Sequence, residues 1–454
     1  MPMPKSPSSK QGGLFNRLIG SELIRRVLKN SGYLFSATGI AAALSMVQSI
    51  LVARLLGVTD FGILGTITLF TSVINKFASF RMSELVVKYV GQFTVEGDET
   101  RAAAVFKSAA LLETVTSLFA FGLIWLLAPL GAQYFAKDTS TTYWFVLYGL
   151  IVLANFMIES STGLMQIFDR YKVIASITVG QSLVTLGLIA IIYLNGGGLY
   201  EVVLAYMAGK ISGAFASAVA AFILAADNWG KTWWTAPIGL LRDRTRELVR
   251  FAVSTNISAT INLVNKDGEI LWVSALTGPT QAGYYKLALS LANLIQLPVS
   301  PLPQATYPEL SREVAEKNWG NMRYILRQGS IMAFSYSLLA GIFLLIFGKP
   351  LISFFYTPEF LPSYPALLIL MVGLLVANTF YWNRISLLSL GLADYPAKVN
   401  SIAAVLKAIG IFTIVPIYGY MGSAALLSGF YIFSVSLNAR KTFQELRLRG
   451  SITS

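Results

Sequence analysis

The sequence predicts an all-α polytopic membrane protein, with about 12 transmembrane helices in two six-helix lobes around a central cavity. Two compositional features indicate this fold class: 55% of the 454 residues are hydrophobic and only 13% are charged. Soluble domains carry roughly 25% charged residues. A soluble fold of this length has no means of hiding so much apolar surface, because a large share of any fold stays exposed.

Each predicted span is a run of about 20 mostly apolar residues, the length that a helix needs to cross the hydrocarbon core. The runs fall into two groups of six, separated by a polar stretch. The predicted order is a cytoplasmic tail 1–30, an N-terminal lobe 31–226, a cytoplasmic linker 227–250, a C-terminal lobe 251–440 and a cytoplasmic tail 441–454. The spans lie near 31–55, 60–80, 103–130, 142–166, 173–194, 200–226, 251–276, 282–304, 326–347, 362–384, 394–418 and 420–440.

The residue types that are missing exclude several kinds of chemistry. The chain has no Cys and no His, which rules out disulfides, thiolate nucleophiles, Cys/His zinc sites and histidine acid–base catalysis. It also lacks the glycine-rich loop ending in Lys–Ser/Thr that cradles the phosphates of ATP. We therefore expect no cofactor, no metal and no enzymatic activity. A membrane glycosyltransferase would need loop carboxylates, and the acidic run 96–99 is more simply a solvated turn.

The distribution of Lys and Arg predicts the orientation. Most of the 35 basic residues lie on the side of the N-terminus, in the tail and in every second loop; outside the spans, only Lys137 and Lys349 lie on the opposite side. Short cytoplasmic loops retain the basic excess, so both termini are predicted to be cytoplasmic. The net charge of +13 then reflects topology and attraction to anionic lipids, not nucleic-acid binding.

The two halves share a short internal repeat. Residues 55–62, Leu-Leu-Gly-Val-Thr-Asp-Phe-Gly, align with residues 276–283, Leu-Thr-Gly-Pro-Thr-Gln-Ala-Gly. Residues 36–38 match residues 258–260 after one residue of slippage. Both longer copies connect the first and second spans of a six-span half, which indicates a parallel repeat about an axis near the membrane normal. Chance similarity between two apolar segments is the alternative explanation.

Residues 53–62, Ala-Arg-Leu-Leu-Gly-Val-Thr-Asp-Phe-Gly, carry a family resemblance. The stretch resembles the signature of the polysaccharide-type flippases of the multidrug/oligosaccharidyl-lipid/polysaccharide (MOP) transporter superfamily, in which Ala-Arg-x-Leu-Gly precedes a Phe-Gly that opens the second span. At the level of span number, loop lengths and two-lobe repeat, the resemblance covers the whole chain. It implies flipping of a lipid-linked oligosaccharide, usually on undecaprenyl pyrophosphate, across the cell membrane for surface polysaccharide biosynthesis.

The resemblance also implies partners. A lipid-linked oligosaccharide and membrane lipids are expected as ligands, and a polysaccharide polymerase and glycosyltransferases as functional partners. We expect the chain to act as a monomer.

Charged residues inside the spans are candidates for function, because each costs about 2.5–3.5 kcal/mol at a helix centre on insertion scales. Lys210 and Lys407 lie roughly 15 Å from either end of their spans, so each should face a water-filled cavity or an acidic partner. Snorkelling to the membrane surface is the alternative for residues nearer the ends, such as Lys76. The candidates for a substrate-binding cationic cavity are Arg54, Lys210, Lys266, Lys286 and Lys407.

Span 7 is unusually polar for a membrane segment. Lys266, Asp267 and Glu269 lie within it, and the spacing of Lys266 and Glu269 allows them to pair on one helix face. Such a cluster is tolerated only against protein or water. One interpretation is a site for a coupling Na⁺ or H⁺, and a purely structural ion pair is the alternative. The ion-coupling candidates are Asp267, Glu269, Glu113 and Glu159.

The sign of these charges bears on the class of substrate. Cations in both predicted lobes would suit a pyrophosphate headgroup. A cavity for cationic drugs would more simply be acidic and aromatic. The sequence therefore favours a lipid-linked anionic substrate, with a multidrug/ion antiporter of the same fold as the alternative.

Overall fold

The computed structural model describes residues 22–80, 82–252, 268–392 and 394–452, with side chains from residue 32 to residue 451. Helices account for almost all of this part of the chain, and the described residues contain no strand. The N-terminal lobe contains α1 (Glu22–Ala78), α2 (Met82–Glu96), α3 (Glu99–Gly131), α4 (Thr142–Ala154), α5 (Ile158–Ile167), α6 (Tyr171–Leu194) and α7 (Leu199–Trp229).

The C-terminal lobe repeats this arrangement. Its helices are α8 (Glu269–Thr277), α9 (Pro279–Gln296), α10 (Leu302–Ala315), α11 (Trp319–Leu351), α12 (Ser363–Thr379), α13 (Asn383–Ser389) and α14 (Asp394–Ile452). Two short π-helices, Ala132–Ala136 and Ile352–Tyr356, extend α3 and α11 at equivalent places in the two lobes.

Eight helical segments of the described chain are long and apolar enough to cross a membrane. Two of them, Gly32–Ala78 and Asp394–Ser451, contain 47 and 58 residues, and at 1.5 Å per residue each is long enough for two spans. Gly57 and Gly419 divide these two segments with positive φ angles of 70° and 59°. Helix α9 occupies the predicted place of span 8, and α8 occupies the last part of span 7, most of which lies outside the described residues. The predicted fold class is confirmed: the chain is a multi-pass membrane protein of two six-helix lobes.

The internal repeat is visible in the backbone. Gly57 (φ 70°, ψ −178°) and Gly278 (φ 100°, ψ 169°) occupy equivalent positions and share a conformation that essentially only glycine adopts. Spans 4 and 10 are also interrupted at equivalent places, between α4 and α5 and between α12 and α13. Chance similarity does not explain this match, so the parallel repeat is confirmed.

Each lobe has a core of its own, and a further apolar core joins the two lobes. The shared core combines Phe61 and Leu64 of α1 with Ile352, Tyr356 and Phe360 of the C-terminal lobe. Burial of apolar side chains is the main favourable term in such packing. The lobes are therefore held together at the end of the molecule where Gly57 and Gly278 lie.

The segment that follows α7 packs on the N-terminal lobe. Trp233 and Leu241 are 7% and 4% exposed, and Lys107 of α3 donates a hydrogen bond of 3.1 Å to the carbonyl oxygen of Ala236. In the C-terminal lobe, α14 continues to Ile452 and buries Leu446 against the core. The residues predicted as a tail from 441 onward are thus helical as far as residue 452, and Thr442 and Leu446 are buried.

Candidate functional site

The two lobes meet at the end of the molecule that carries the turns at Gly57 and Gly278, which we call the closed end. We call the opposite end, where α2 and α10 lie, the open end, because the hydrogen bonds that the described residues form between the lobes all lie toward the closed end. Across the lobes, α1 packs against α9, and the π-helix Ala132–Ala136 packs against α8. These contacts close one end of the space between the lobes.

The centre of the closed end is built from the two copies of the repeat. The hydroxyl oxygens of Thr59 and Thr280 lie 2.9 Å apart, and the two residues are separated by 221 positions, as are the aligned repeat copies. A Cβ atom at Gly62 would overlap the carbonyl oxygen of Pro279, and a Cβ atom at Gly283 would overlap that of Val58. Each glycine therefore packs against the backbone of the other lobe. The absence of a side chain at both glycines lets the two backbones come this close.

Lys286 lies in the same interface. Its ammonium group donates a hydrogen bond of 3.0 Å to the carbonyl oxygen of Phe61 and lies 3.8 Å from the centroid of that ring. Its aliphatic stem passes over Gly65, where a Cβ atom would come within 2.7 Å of the lysine Cδ. The structure thus places this candidate between the lobes at the closed end.

Cations also join the lobes on both flanks of the closed end. Arg54, at the end of span 1, donates hydrogen bonds to the carbonyl oxygens of Phe354, Phe355 and Tyr356 in the π-helix of the other lobe. On the opposite flank, Lys137 donates a bond of 2.6 Å to the carbonyl oxygen of Ala275. Each flank therefore joins the end of one lobe's first span to the π-helical corner of the other lobe.

Lys210 lies deep in span 6 of the N-terminal lobe. It lies on α7, about 18 Å along the helix from Gly198 at the closed end. Residues one turn away on the same face, Met207 and Ala214, are buried in the lobe, whereas the Lys210 side chain is exposed. Among the described residues it makes no hydrogen bond or ion pair. The structure thus provides a free ammonium group at about half the depth of the membrane.

Lys407 has an acidic partner, one of the two environments that the sequence predicted for it. Its ammonium group forms a buried ion pair with Glu269 of α8, and their side chains are 5% and 4% exposed. The hydroxyl of Tyr285 donates to the second carboxylate oxygen of Glu269. A buried pair of this kind is stable only when its remaining hydrogen-bonding capacity is used, and the tyrosine supplies one such bond.

Glu113 and Glu159 meet at the break in span 4. The carboxylate of Glu113, 4% exposed, accepts hydrogen bonds from the backbone N–H groups of Glu159 and Ser160 at 2.8 and 2.9 Å and from the Ser160 hydroxyl at 2.7 Å. Glu159 in turn accepts a bond from the Ser83 hydroxyl. Helix N-termini leave such N–H groups unpaired, so Glu113 acts as the cap that makes a broken span tolerable inside the lobe.

The structure therefore brings together some of the predicted residues and separates others. Glu269 and Lys407 form one buried cluster, Glu113 and Glu159 another, and Lys210 lies apart from both on α7. Arg54 and Lys286 lie at the closed end. Lys266 and Asp267 lie outside the described residues, so the predicted pairing of Lys266 with Glu269 stays a prediction.

Sequence reasoning missed Arg384, which lies in the second half of the interrupted span 10 and is exposed. The predicted span ended at that residue, and Arg384 was not among the candidate residues. The signal was the polar and aromatic run 378–384, Asn-Thr-Phe-Tyr-Trp-Asn-Arg, which is unusual inside a span. It marks the interruption between α12 and α13 and the continuation of the helix to Ser389.

Comparison with protein families gives two matches. Residues 27–314, more than half of the chain, match the family described as "Polysaccharide biosynthesis protein". Residues 269–431 of the C-terminal lobe match the MatE family. Inner membrane protein YghQ of Escherichia coli (strain K12) is 22% identical over 359 residues, which cover 75% of this chain and 95% of that protein.

Two solved structures share the fold. A multidrug resistance MATE family transporter of the MOP superfamily in an inward-facing conformation superposes with a TM-score of 0.72 at 14% identity, covering 91% of this chain and 96% of that one. Lipid II flippase MurJ in an inward closed conformation gives a TM-score of 0.69 at 15% identity, covering 91% and 90%. At these identities the likeness shows the architecture alone.

Proposed function

We propose, because the chain belongs to the polysaccharide biosynthesis protein family, that it carries a lipid-linked oligosaccharide across the cytoplasmic membrane. The substrate is an oligosaccharide on a polyprenyl pyrophosphate, destined for surface polysaccharide. Transport proceeds by alternating access, with the two lobes rocking about their shared axis. The observation that carries the proposal is Lys210, an exposed cation without a partner among the described residues, about 18 Å along α7 from the closed end.

The balance of interior charge supports an anionic substrate. The described carboxylates deep in the spans are already engaged: Glu113 caps a helix and Glu269 pairs with Lys407. Lys210, by contrast, retains its full capacity to bind phosphate oxygens. A multidrug antiporter for cations needs the opposite arrangement, with free carboxylates facing the substrate, so we rank that function second.

The orientation follows from the positive-inside rule. The closed end, which carries Lys137, faces outward, and both termini are cytoplasmic. The arrangement of the lobes then corresponds to a state that opens toward the cytoplasm. In this state the pyrophosphate and sugars enter the wet space between the lobes from the inner leaflet, while the polyprenyl tail stays in lipid.

Energy for net transport comes from an ion gradient in this proposal. The clusters around Glu269 and Glu113 are the candidates for coupling to Na⁺ or H⁺, together with Asp267. The chain works as a monomer that receives its substrate from glycosyltransferases and delivers it to a polymerase. No cofactor or chemical step is required.

The test uses purified chain in proteoliposomes with a fluorescent undecaprenyl-pyrophosphate-linked oligosaccharide. Lys210→Ala should slow flipping at least tenfold, because a hydrogen bond to a charged group contributes about 1.5–3 kcal/mol. Lys210→Arg should retain most of the rate. The matched control is Lys172→Ala, which removes an exposed lysine from the first turn of α6 in the same lobe and should leave the rate unchanged.

Two results would overturn the proposal. One is wild-type chain that does not flip the probe but exports a cationic dye in exchange for ions, which would establish the antiporter. The other is equal flipping by wild type and Lys210→Ala.

A further inference from the structure

A polar cavity lies within the C-terminal lobe, away from Lys210. Its volume is about 250 Å³, and spans 8, 10, 11 and 12 all contribute to its wall. The wall is unusual for a membrane domain because most of its side chains carry hydrogen-bonding groups. These polar residues are Gln296, Ser300, Asn378, Tyr381, Asn383, Arg384, Asn400, Tyr431 and Ser434.

Several of these groups are used in holding the wall together. Asn378 donates to the hydroxyl of Ser337 at 3.0 Å, and the hydroxyls of Tyr381 and Thr306 lie 3.2 Å apart. Asn383 bonds the carbonyl oxygen of Phe380 at 2.9 Å. These bonds fix the shape of the cavity in advance of any ligand.

Three other groups are not used. Gln296 of span 8, Arg384 of span 10 and Asn400 of span 11 make no hydrogen bond or ion pair within the part of the chain that the structure describes. Together they offer two amide groups, each both donor and acceptor, and a guanidinium with five donors. Arg384 is exposed, and Gln296 and Asn400 are partly exposed, so all three can reach a ligand. A few unpaired polar groups that converge on one cavity from several spans are typical of a binding site.

The depth of the cavity identifies the leaflet from which the ligand comes. Gln296 lies about 27 Å along α9 from Gly278, which is close to the full thickness of a hydrocarbon core of about 30 Å. The cavity therefore lies near the headgroups of the leaflet at the open end, whereas Lys210 lies at half depth. A ligand held there has not yet crossed the membrane.

We propose that this cavity captures the sugar-phosphate end of the substrate before translocation. Arg384 binds an oxygen of the pyrophosphate with its fork of N–H groups, and Gln296 and Asn400 exchange hydrogen bonds with hydroxyls of the first sugar. The volume lies below the roughly 300 Å³ of pockets for drug-sized ligands, so it suits one sugar rather than the whole oligosaccharide. This inference rests on the proposed function.

The test is equilibrium binding to wild-type chain in nanodiscs. The probes are undecaprenyl pyrophosphate bearing one N-acetylglucosamine and sugar-free undecaprenyl pyrophosphate. Arg384→Gln should weaken both probes about ten- to a hundredfold, the effect of a lost hydrogen bond to a charged group. The affinity of Arg384→Lys for each probe should lie between those of wild type and Arg384→Gln. Gln296→Leu and Asn400→Leu should each weaken only the sugar-bearing probe, by roughly three- to tenfold.

Arg440→Gln is the matched control, because Arg440 is an exposed arginine of α14 in the same lobe and does not line the cavity. Equal binding by Arg384→Gln and Arg440→Gln would overturn the capture site while leaving the flipping assay and Lys210 untouched. Equal competition by phosphatidylglycerol vesicles would show a general lipid-headgroup site and would also overturn it. Failure of wild type to bind either probe would overturn both the capture site and the proposed function.

Discussion

The Oγ1 atoms of Thr59 and Thr280 lie 2.9 Å apart at the closed end, and each residue is the repeat equivalent of the other. Two equivalent residues can touch in this way only where the axis of the repeat passes between them. The contact therefore marks the axis about which the lobes are related. Both side chains are exposed, so the contact is accessible to reagents from outside the membrane.

Joining these two positions covalently should stop transport. Thr59→Cys combined with Thr280→Cys places two thiols within reach of a disulfide, and the chain has no other cysteine. Oxidation should protect both thiols from maleimide and abolish flipping, because the closed end can no longer open. Reduction should restore flipping. Each single cysteine variant serves as a control and should flip the substrate with or without oxidant. Full flipping by the double variant, when it is oxidised and protected from maleimide, would contradict a closed end that moves during transport.

The reciprocal glycine contact should be equally sensitive. Gly62→Ala and Gly283→Ala each add a Cβ atom that overlaps a backbone carbonyl oxygen of the other lobe, and backbone has little freedom to move aside. We expect the rate of flipping to fall tenfold or more. When either substitution is combined with Thr59→Cys, the thiol should become more reactive toward maleimide than in Thr59→Cys alone. Gly187→Ala in α6, where no heavy atom lies within 4 Å of the added carbon, should have no effect. Unchanged thiol reactivity in both repeat variants would count against the close packing.

The Glu269–Lys407 pair should be costly to break from one side. Lys407→Met leaves a buried carboxylate and Glu269→Gln leaves a buried ammonium, and each should destabilise the lobe by about 3–5 kcal/mol. The double variant Glu269→Met/Lys407→Met should recover much of this loss, because neither charge is left alone. Thermal unfolding in detergent, followed by tryptophan fluorescence, measures the effect.

The same double variant separates structure from ion coupling. A stable double variant whose flipping no longer responds to an Na⁺ or H⁺ gradient would support coupling at this pair. A stable double variant with normal gradient dependence would exclude Glu269 as the coupling group.

Glu113 should act through the helix that it caps. Glu113→Ala leaves the N–H groups of Glu159 and Ser160 without their acceptors, which should cost about 1–3 kcal/mol of stability for each buried donor. Glu113→Gln keeps one acceptor oxygen, so its stability should lie between that of Glu113→Ala and that of wild type. Glu99→Ala, which removes an exposed carboxylate from the first turn of the same helix, should change the unfolding temperature little. If Glu113→Ala unfolds at the wild-type temperature but its flipping no longer depends on the ion gradient, Glu113 acts in ion coupling instead.

Much of the architecture was predictable because it depends on local properties of the sequence. Hydrophobic run length determines a span, and the breaks at Gly57 and Gly278 follow from glycine at equivalent positions of the repeat. Span 10 was placed too short, because its second helix continues to Ser389, beyond the predicted end at residue 384. The docked end of α14 was also unexpected, since its burial depends on packing against α11 and α13 that composition does not reveal.

The site was less predictable because its partners are distant in sequence. An acidic partner for Lys407 was foreseen, but nothing local identifies Glu269, 138 residues earlier. Glu113 was predicted as an ion-coupling candidate, but its contact with the helix that it caps was missed, since the break in span 4 was not recognised. Lys286 looked like a cavity cation, and its place beside Phe61 depends on how two lobes meet. In each case the charge was identified correctly and its partner was not.

The separation of Glu269 and Lys407 has a consequence for the biogenesis of the protein. A ribosome makes Glu269 in span 7 before it makes Lys407 in span 11, and the two charges are 138 residues apart. A lone lysine at a helix centre costs about 2.5–3.5 kcal/mol to insert. When span 11 leaves the translocon, the carboxylate that neutralises it is already in the membrane. Prior assembly of span 7 therefore lowers the cost of inserting span 11, and a C-terminal half made without span 7 should insert span 11 less efficiently.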